Sequence, residues 1–322
     1  MVFKNVITPT LSNREPLSIW FVHDNKPGHT HQLQGIEERI TSYCDTKIHW
    51  IDATQTKLSW FNLLIKSKTT FPTPDIVIGA GHKTHKALLI YAKAYKAYSA
   101  VLMKPSLPMS WFDAIICPKH DGVQESKCIM NTFGALNTIN PTNNTVVRST
   151  SLMLIGGPSK HFKWQENKLL EQIKKICAQD TSVHWILSDS PRTPSAFLPK
   201  LEALQVSNLS YYHYLDTKLK PLHELMLASE KTWVTPDSVS MIYESLTART
   251  PTFTFTLPAA NENKPSRIKQ ALDDLIKQKH VMGFEDWQLH RDIKPNKLDL
   301  WEADRAAKWL LNRYVETHPN KK

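Results

Sequence analysis

The sequence predicts an α/β protein made of two Rossmann-like domains that face one another across a central cleft. Its 322 residues suit two domains of about 150 residues each. Short apolar strands alternate with amphipathic helices, which is typical of parallel sheets with crossover helices. The alternation breaks at "NPTNNTVVRSTS", which begins at Asn140, and then restarts. This polar, turn-rich stretch is the best linker candidate, and it separates a first domain, residues 1–142, from a second, residues 143–322.

The predicted elements follow one another in a regular order. In the first half the strands are "LSIWFV", "KIHWID", "DIVIGA", "YSAVLM" and "DAIIC", and the helices run from about Gln32 to Tyr43 and through "HKTHKALLIYAKAYKAY". In the second half the strands are "SLMLIGG", "VHWILSDS", "NLSYYHYL", "KTWVT" and "PTFTFTL", with helices near 164–177, 195–204 and 222–229 and from about Ser238. Residues 298–316 have apolar side chains at helical spacing. They predict a closing helix that packs across the domain junction.

Composition excludes several classes of protein. Hydrophobic residues at 41% and charged residues at 22% are typical of a soluble globular protein. No apolar run approaches the roughly 20 residues that span a bilayer. The first residues lack the apolar core of a signal peptide, so a cytoplasmic protein is expected. Four widely spaced cysteines without a CxxC pair indicate reduced thiols and not a zinc site or a disulfide framework.

The formal charge of +10 suggests an anionic partner. Eight lysines and a single acid, Asp75, lie between Lys57 and Lys104, and aromatic residues lie among them. On the predicted helix, one arc of roughly 140° collects the side chains of Lys83, Lys86, Lys93 and Lys96. This arc is either a solvated face or a patch that contacts anionic lipid headgroups at the inner membrane, or a phosphorylated acceptor. Nucleic acid is less favoured, because no recognisable binding module accompanies the charge.

Glycines gather where predicted strands end. Six of the nine glycines lie at or just beyond these ends, and they are Gly28, Gly35, Gly79, Gly81, Gly156 and Gly157. Ligands of open parallel sheets bind beyond the carboxyl ends of the strands. One glycine at each turn is explained by positive φ, whereas paired glycines would let a ligand approach the backbone.

The loop "HDNKPGHTHQ" after the first strand concentrates titratable groups. In a loop, both His29 and His31 could point into a cleft. His29, with an ordinary pKa near 6.5, is a candidate general base, and Asp24 is the other. A metal site from the two histidines would need a third ligand that the neighbourhood does not offer, so no metal is expected. The alternative is an ordinary hydrogen-bonded loop histidine.

Three loops of the second half are suited to phosphate. "GGPSK" and "SDSPRTPS" each follow a predicted strand and supply hydroxyls, backbone amides and one cation, Lys160 or Arg192. Such parts hold a phosphate at a helix N-terminus. In "TPDSVSMIYES", Asp237 or Ser238 can cap the helix, and Glu244 is spaced to accept hydrogen bonds from ribose hydroxyls. A capped helix with a surface glutamate is the simpler account of that loop alone.

The sequence resembles the elongated-mitochondria (ELM) family, whose plant members are named for mitochondrial fission and whose bacterial members look like glycosyltransferases. The resemblance runs from about residue 20 to 256. It is carried by "KPGHTHQ", "IGAGHKTHKALL", "FDAIICPKHDG", "FGALNTI", "LIGGPSKHFKW" and "TWVTPDSVSMIYESL". It departs from the family pattern at "THQ" and at "ARTPTF". It implies a GT-B architecture, with a nucleotide-sugar bound mainly by the C-terminal domain.

Carried over by position, the resemblance implies that Lys26, Gly28, His29 and Gln32 line the acceptor side. It implies a donor side made of Gly157, Ser159, Arg192, Thr193, Asp237, Ser238, Ser240 and Glu244. From the strand-end loops themselves, His31, Gly81 and His82 are added to the acceptor side and Lys160 to the donor side.

Together these observations predict a metal-independent glycosyltransferase without a cofactor. It would move a sugar from a nucleotide-sugar to an anionic glycolipid or lipopolysaccharide-like acceptor. His29, or Asp24, would take the acceptor proton, and Arg192, Lys160 and the helix N-terminus after Thr235 would stabilise the departing diphosphate. Two alternatives stay open. One is a sugar-nucleotide epimerase or hydrolase on the same fold, and the other is a non-catalytic adaptor on a membrane.

Overall fold

The structure, a computed structural model, describes residues 15–55, 71–142, 150–216, 221–290 and 293–319. Most of the predicted linker, and the lysines of the basic stretch before residue 71, lie outside these ranges. The chain divides into two compact units. The first comprises the residues up to Thr138 together with those from Trp301 onward, and the second is Ile139–Leu300.

The first unit is built on a parallel six-stranded sheet with the order β2-β1-β3-β4-β5-β6. Its strands are β1 (Leu17–His23), β2 (Thr46–Asp52), β3 (Ile76–Ala80), β4 (Tyr98–Leu102), β5 (Ala114–Pro118) and β6 (Ile129–Thr132). Helices α1 (Pro27–Thr41) and α2 (His85–Tyr95) follow β1 and β3. Strands β3, β4 and β5 are buried along their whole length. A parallel sheet covered on both faces explains why these strands are continuous apolar runs and do not alternate.

Aromatic rings fill the two faces of this sheet. Trp20 packs edge-on against Tyr91 and Tyr95 of α2, with ring centroids 5.3 and 5.1 Å apart. On the opposite face, Phe21 stacks on Trp50 at 5.2 Å. Successive residues of β1 point to opposite faces, so one strand anchors both layers.

The second unit repeats the plan with the strand order β12-β11-β10-β7-β8-β9. Its strands are β7 (Thr150–Leu154), β8 (Trp185–Ser188), β9 (Leu209–Tyr212), β10 (Ser229–Val234), β11 (Thr252–Thr254) and β12 (Val281–Gly283). Its helices are α3 (Glu166–Gln179), α4 (Phe197–Glu202), α5 (Leu222–Leu227), α6 (Val239–Thr247), α7 (Arg267–Lys277) and α8 (Phe284–Leu289). Strand pairs in both sheets are parallel. The predicted α/β class with two Rossmann-like sheets is confirmed.

Four elements were not predicted from the sequence. Strands β6 and β12 and helix α8 are only four, three and six residues long, too short for a periodic pattern. Helix α7 did carry a signal. Its N-cap, Ser266, accepts a hydrogen bond from the Lys269 N–H at 3.2 Å, and apolar residues lie at helical spacing at Ile268, Leu272 and Leu275.

The structure differs from the prediction at the chain's end. Residues 298–316 were expected to close the second domain and to cross the domain junction. Instead α9 (Glu302–Thr317) packs on α1 and on β5 and β6 of the first unit. Asp304 accepts a hydrogen bond from Arg39 Nε at 2.9 Å and pairs with Lys308 Nζ at 2.8 Å. The apolar face of α9 belongs to the same core as α1, which is why the helix stays with the first sheet.

Burial opposes ionisation of Asp304, yet the hydrogen bonds from Lys308, Tyr43 and Arg39 hold the pKa of its carboxyl below the ordinary value. The carboxylate is thus a charged anchor between α9 and α1. Within the described residues, none of the helices is long and apolar enough to cross a membrane.

Truncating Leu310 tests how much the first unit depends on α9. Leu310 is fully buried in the first core, so Leu310→Ala should lower the free energy of unfolding by roughly 2–5 kcal/mol through lost burial and a cavity. Urea denaturation measures this change. Glu316→Ala, an exposed position on the same helix, is the control and should cost less than about 1 kcal/mol. Equal losses in the two variants would contradict the assignment of α9 to the first core.

Candidate active site

A buried carboxylate and a histidine form a pair where β1 ends. Asp24 follows β1, and its side chain has no exposed surface. Asn25 has a left-handed backbone (φ 60°), which turns the chain so that α1 can begin at Pro27. Proline suits this first helical position, because its missing N–H would have no partner there. His29 then lies in the first turn, and its Nδ1 is 2.8 Å from Asp24 Oδ1.

The pair has the geometry of a general base held by a carboxylate. Because Asp24 accepts from Nδ1–H, the proton is held on that nitrogen and Nε2 is left as an acceptor. Burial would raise the pKa of Asp24, but the hydrogen bond and charge of His29, together with the Lys26 N–H and charge, lower it below its usual value. The His29 side chain keeps 21% exposure, so the ring is reachable while its anchor is not.

Gly81 follows β3 and makes room for this pair. Its φ is +91°, and a Cβ on it would lie 2.3 Å from His29 Nδ1 and 3.0 Å from Asp24 Oδ2. A side chain at this position would therefore both strain the backbone and displace the histidine. Gly81 and His29, both assigned to the acceptor side from the sequence, are therefore neighbours in the structure.

The rest of the "KPGHTHQ" motif is placed differently from the prediction. The helix begins at Pro27 and not near Gln32, so His29 and His31 lie on a helix. Residues two apart on a helix point in divergent directions, and His31 is exposed. Gln32 is buried, and its amide donates to the Gly28 carbonyl at 3.2 Å, so it braces the first turn.

Lys26 and Gly28 are exposed, and nothing lies within 4 Å of the position that a Gly28 Cβ would take. The fold itself does not require glycine there.

His85 is a buried histidine that the sequence analysis did not select. It is the first residue of α2, and its Nδ1 is 3.1 Å from Ser106 Oγ and accepts from the Ser106 N–H at 3.4 Å. Burial, and then the charges of His82 and His29, lower its pKa to about 4. His85 is therefore neutral near pH 7. The spacing "HKTH" was the available signal. His82 itself is exposed.

In the second unit, an ion pair ties three loops together. Asp237, after β10, has a side chain only 1% exposed and lies 2.8 Å from Arg192 Nη2. The same guanidinium donates to Ser238 Oγ at 2.7 Å, and Asp237 Oδ2 also accepts from the Gly157 N–H at 3.0 Å. The loops after β7, β8 and β10, each of which the sequence marked as suited to phosphate, thus meet at one edge of the sheet.

The paired glycines after β7 leave room for the contacts between these loops. A Cβ on Gly156 would lie 2.2 Å from Asp237 Oδ2, and one on Gly157 would lie 2.1 Å from the Arg192 carbonyl oxygen. From the sequence, this pair was expected to let a ligand approach the backbone. In the structure, groups of the chain itself occupy the space.

Several hydroxyls predicted to hold phosphate are engaged with the backbone. Thr193 donates to the Gly156 carbonyl at 2.5 Å and accepts from the Ser190 N–H at 3.0 Å. Ser159 Oγ accepts from the N–H groups of His161 and Phe162, both at 3.2 Å. These contacts shape the loops. Lys160 is exposed.

Helix α6 begins at this junction. Ser238 is its N-cap, but its side chain makes no capping bond, because the hydroxyl is directed to Arg192. Ser240 is exposed in the first turn. A helix N-terminus with unoccupied N–H groups favours anions. This arrangement fits a phosphate beside Arg192.

Glu244 lies further along α6 and has no partner for its carboxylate among the described residues. The residue keeps partial solvent exposure, yet burial of the carboxyl raises its pKa to about 7. Hydroxyl groups of a ligand would stabilise such a carboxylate by donating hydrogen bonds to it. Asp24 Oδ2 and Asp237 Oδ1 are also buried without a hydrogen-bond partner in the described part of the chain.

A further polar cluster, which was not predicted from the sequence, lies at the ends of β8 and β9. Asp189 accepts from the Tyr211 hydroxyl and from the Tyr214 N–H, both at 2.7 Å. The rings of His213 and Tyr214 lie 4.4 Å apart, and both residues are exposed. These exposed rings follow β9, which is the neighbour of β8 in the sheet, and the loop after β8 carries Arg192.

Across the residues that the structure describes, no three His, Cys, Asp or Glu side chains are grouped to hold a metal ion.

The model of the family described as mitochondrial fission ELM1 matches residues 27–314. The chain belongs to this family. The ELM1-family chain is 23% identical over 325 residues to Uncharacterized protein RP120 of Rickettsia prowazekii (strain Madrid E), covering 84% of the chain and 91% of the relative.

Solved structures show the fold of this ELM1-family chain. It is similar to the UDP-GlcNAc 2-epimerase of Methanocaldococcus jannaschii (13% identity, TM-score 0.55), covering 92% of this chain and 100% of that one. It is also similar to the Neisseria meningitidis UDP-GlcNAc 2-epimerase bound to UDP-GlcNAc (12% identity, TM-score 0.56), covering 93% and 100%. The GT-B fold class expected from the resemblance is confirmed.

The pKa of Glu244 predicts how stability changes with pH. Because its folded pKa, about 7, lies above the ordinary 4.5, the ionised carboxylate destabilises the fold. That penalty is absent below pH 4.5 and grows as the pH rises toward 7. Glu244→Gln should therefore raise the free energy of unfolding by roughly 1–3 kcal/mol above about pH 8 and change it little near pH 4. Urea denaturation at both pH values measures the difference.

The matched control is Glu171→Gln, an exposed glutamate on α3, which should be neutral at both pH values. A pH-independent effect of Glu244→Gln would show that the carboxyl is not desolvated.

Proposed function

We propose that this chain is a glycosyltransferase that moves a sugar from a nucleotide-sugar donor to a hydroxyl of an anionic glycolipid or lipopolysaccharide-like acceptor. The observation that carries the proposal is the Asp24–His29 pair, in which a buried carboxylate lies 2.8 Å from the ring nitrogen and leaves the other nitrogen free. A base oriented in this way matches the task of taking a proton from an attacking hydroxyl.

The donor is assigned to the second unit. The N-terminus of α6 and the Arg192 guanidinium would bind the diphosphate, with Lys160 near the same loop. The Glu244 carboxylate would accept hydrogen bonds from ribose hydroxyls, which would favour its ionised form. Asp237 pairs with Arg192 at 2.8 Å, so its role is to orient the guanidinium. Gly157, Ser159, Thr193 and Ser238 shape the loops around it, and Ser240 offers a hydroxyl beside the phosphate.

The choice of nucleotide comes from the structural relatives. The Neisseria meningitidis relative is named as bound to UDP-GlcNAc, so a UDP-sugar is the first donor to test.

The reaction would be a direct displacement at the anomeric carbon. The acceptor oxygen forms the new bond to that carbon while its proton passes to His29 Nε2. The bond from the anomeric carbon to the diphosphate oxygen breaks, and the nucleoside diphosphate leaves with the electron pair. Arg192 and the α6 N-terminus would stabilise the charge that develops on it. Asp24 would stabilise the protonated ring and is too buried to act as the base itself.

A nucleotide panel tests the donor site. UDP, GDP, ADP, CDP and CMP are compared by thermal shift, and one diphosphate present at about 100 times its Kd should raise Tm by at least about 5 °C. Glu244→Gln should reduce this shift, because it replaces the charged acceptor of the ribose hydroxyls with a neutral amide oxygen that accepts weaker hydrogen bonds. Glu171→Gln should leave the shift intact. The absence of any shift across the panel would overturn the donor assignment and favour the membrane adaptor.

Substitutions of the pair test the base. With UDP-GlcNAc labelled in the sugar and a bacterial lipid extract as acceptor, His29→Ala should lower the transfer rate by roughly 10²–10⁴-fold. Asp24→Asn should also lower it, because the ring loses its charged anchor. The UDP-induced shift in Tm should survive both changes. Thr41→Ala, at an exposed position of the same helix, is the control and should retain full activity.

The same assay decides between transfer and epimerisation. Epimerisation is the second candidate, because the fold is similar to that of the 2-epimerases. A transferase requires the acceptor for product, whereas an epimerase or hydrolase converts the donor alone. Turnover of UDP-GlcNAc without acceptor, detected by NMR of the sugar, would contradict the transferase. Full activity in His29→Ala would contradict the base.

A further inference from the structure

Helix α2 presents a stripe of lysines away from its packed side. Lys86, Leu89 and Lys93 are spaced i, i+3, i+7, which places them on one face. The opposite side packs on Trp20 through Tyr91 and Tyr95. Four lysines, Lys83, Lys86, Lys93 and Lys96, are exposed, and none takes part in an ion pair within the described residues. Their charge is therefore available to a partner.

Large apolar side chains are exposed beside this stripe. The single turn Met109–Trp111 has no buried residue, and Trp111 and Met109 are 53% and 41% exposed. Tryptophan next to lysine is the combination that settles at a lipid–water interface, where the ring lies at headgroup depth and the ammonium group stays in water.

A cavity of about 430 Å³ lies between α2 and this turn. Leu89, Ala92, Ala97 and Trp111 line it together with the exposed Lys93. Asp113 also borders the cavity, but its carboxylate accepts hydrogen bonds from the N–H and hydroxyl of Ser99 at 2.8 and 2.7 Å. A largely apolar slot with an exposed lysine in its lining fits a lipid tail below an anionic headgroup.

The cavity lies at the opposite end of the strands from the Asp24–His29 pair. Ser99 and Asp113 are at the amino ends of β4 and β5, whereas Asp24 and Gly81 follow the carboxyl ends of β1 and β3. Occupation of the cavity would leave the loops at the carboxyl edge of this unit unobstructed.

We propose that this surface, composed of Lys83, Lys86, Lys93, Lys96, Met109 and Trp111, docks on an anionic lipid bilayer. The lysines contact lipid phosphates, and Trp111 and Met109 enter the headgroup region beside the apolar cavity. A nucleic-acid duplex matches the charge but not the exposed turn or the slot. The docking is independent of the proposed transferase activity, because it uses none of the donor or base residues.

Vesicle co-sedimentation tests the surface with the full-length chain. The wild-type protein should bind vesicles made of equal parts phosphatidylglycerol and phosphatidylcholine, and should bind pure phosphatidylcholine weakly. Binding should fall as salt is added, because exposed charges are screened. Each lysine near such a membrane contributes about fivefold in partitioning, so the triple variant Lys83→Gln, Lys86→Gln, Lys93→Gln should bind roughly 100-fold more weakly. Trp111→Ala should reduce binding by roughly tenfold at unchanged charge.

The charge-matched control is Lys168→Gln, Lys174→Gln, Lys175→Gln, which removes three exposed lysines from α3 of the second unit. Equal losses in the two triple variants would show a general charge effect and overturn the proposal. The proposal would also be overturned if Trp111→Ala bound vesicles as tightly as the wild type. The same holds if the protein bound a DNA duplex but no vesicles. Unchanged melting temperatures of the variants exclude misfolding as the cause, and a retained UDP-induced shift separates this result from failure of the donor site.

Discussion

Parallel pairing of the strands is the constraint on which both candidate sites depend. When strands run parallel, the loops that leave them emerge at one edge of the sheet, and ligand sites form there. In the first unit this rule brings Gly81, after β3, into contact with Asp24 and His29, after β1. In the second it brings Arg192, after β8, to Asp237, after β10. Neither contact joins neighbours in sequence, and each needs the sheet order to exist.

Each site is then anchored by one buried carboxylate. A buried charge is costly unless it is paired and hydrogen-bonded. Asp24 meets this condition through His29 and the Lys26 N–H, and Asp237 through Arg192 and the Gly157 N–H. In both cases one carboxylate oxygen is still without a partner within the described residues. A fold selected for stability alone gains little from two such groups, whereas rigid orientation of a histidine and of a guanidinium is what a reaction site requires.

The sequence predicted the sheets well, because β3, β4 and β5 are continuous apolar runs bounded by turn residues. It predicted the strand-end loops by the same logic. It did not predict that α1 begins at Pro27, because a glycine and two histidines among the first five residues are typical of a loop and not of a helix. Nor did it place α9, since helical spacing shows that a face is buried but not which sheet buries it. His85 and Asp189 were missed because each acquires its environment from residues distant along the chain.

The first unit separates two kinds of surface along its strands. At the carboxyl edge, the buried Asp24 carboxylate orients the half-buried His29 ring through a hydrogen bond. At the amino edge, Trp111 is exposed beside a cavity and Lys93 is unpaired among the described residues. Adjoining exposed apolar groups, such as Trp111 beside the cavity, are suited to a partner with an apolar region, and a lysine stripe lowers the free energy of binding only to an anionic partner. An anionic membrane satisfies both conditions at once, and a glycolipid acceptor embedded in that membrane would be held near the unit that carries the proposed base.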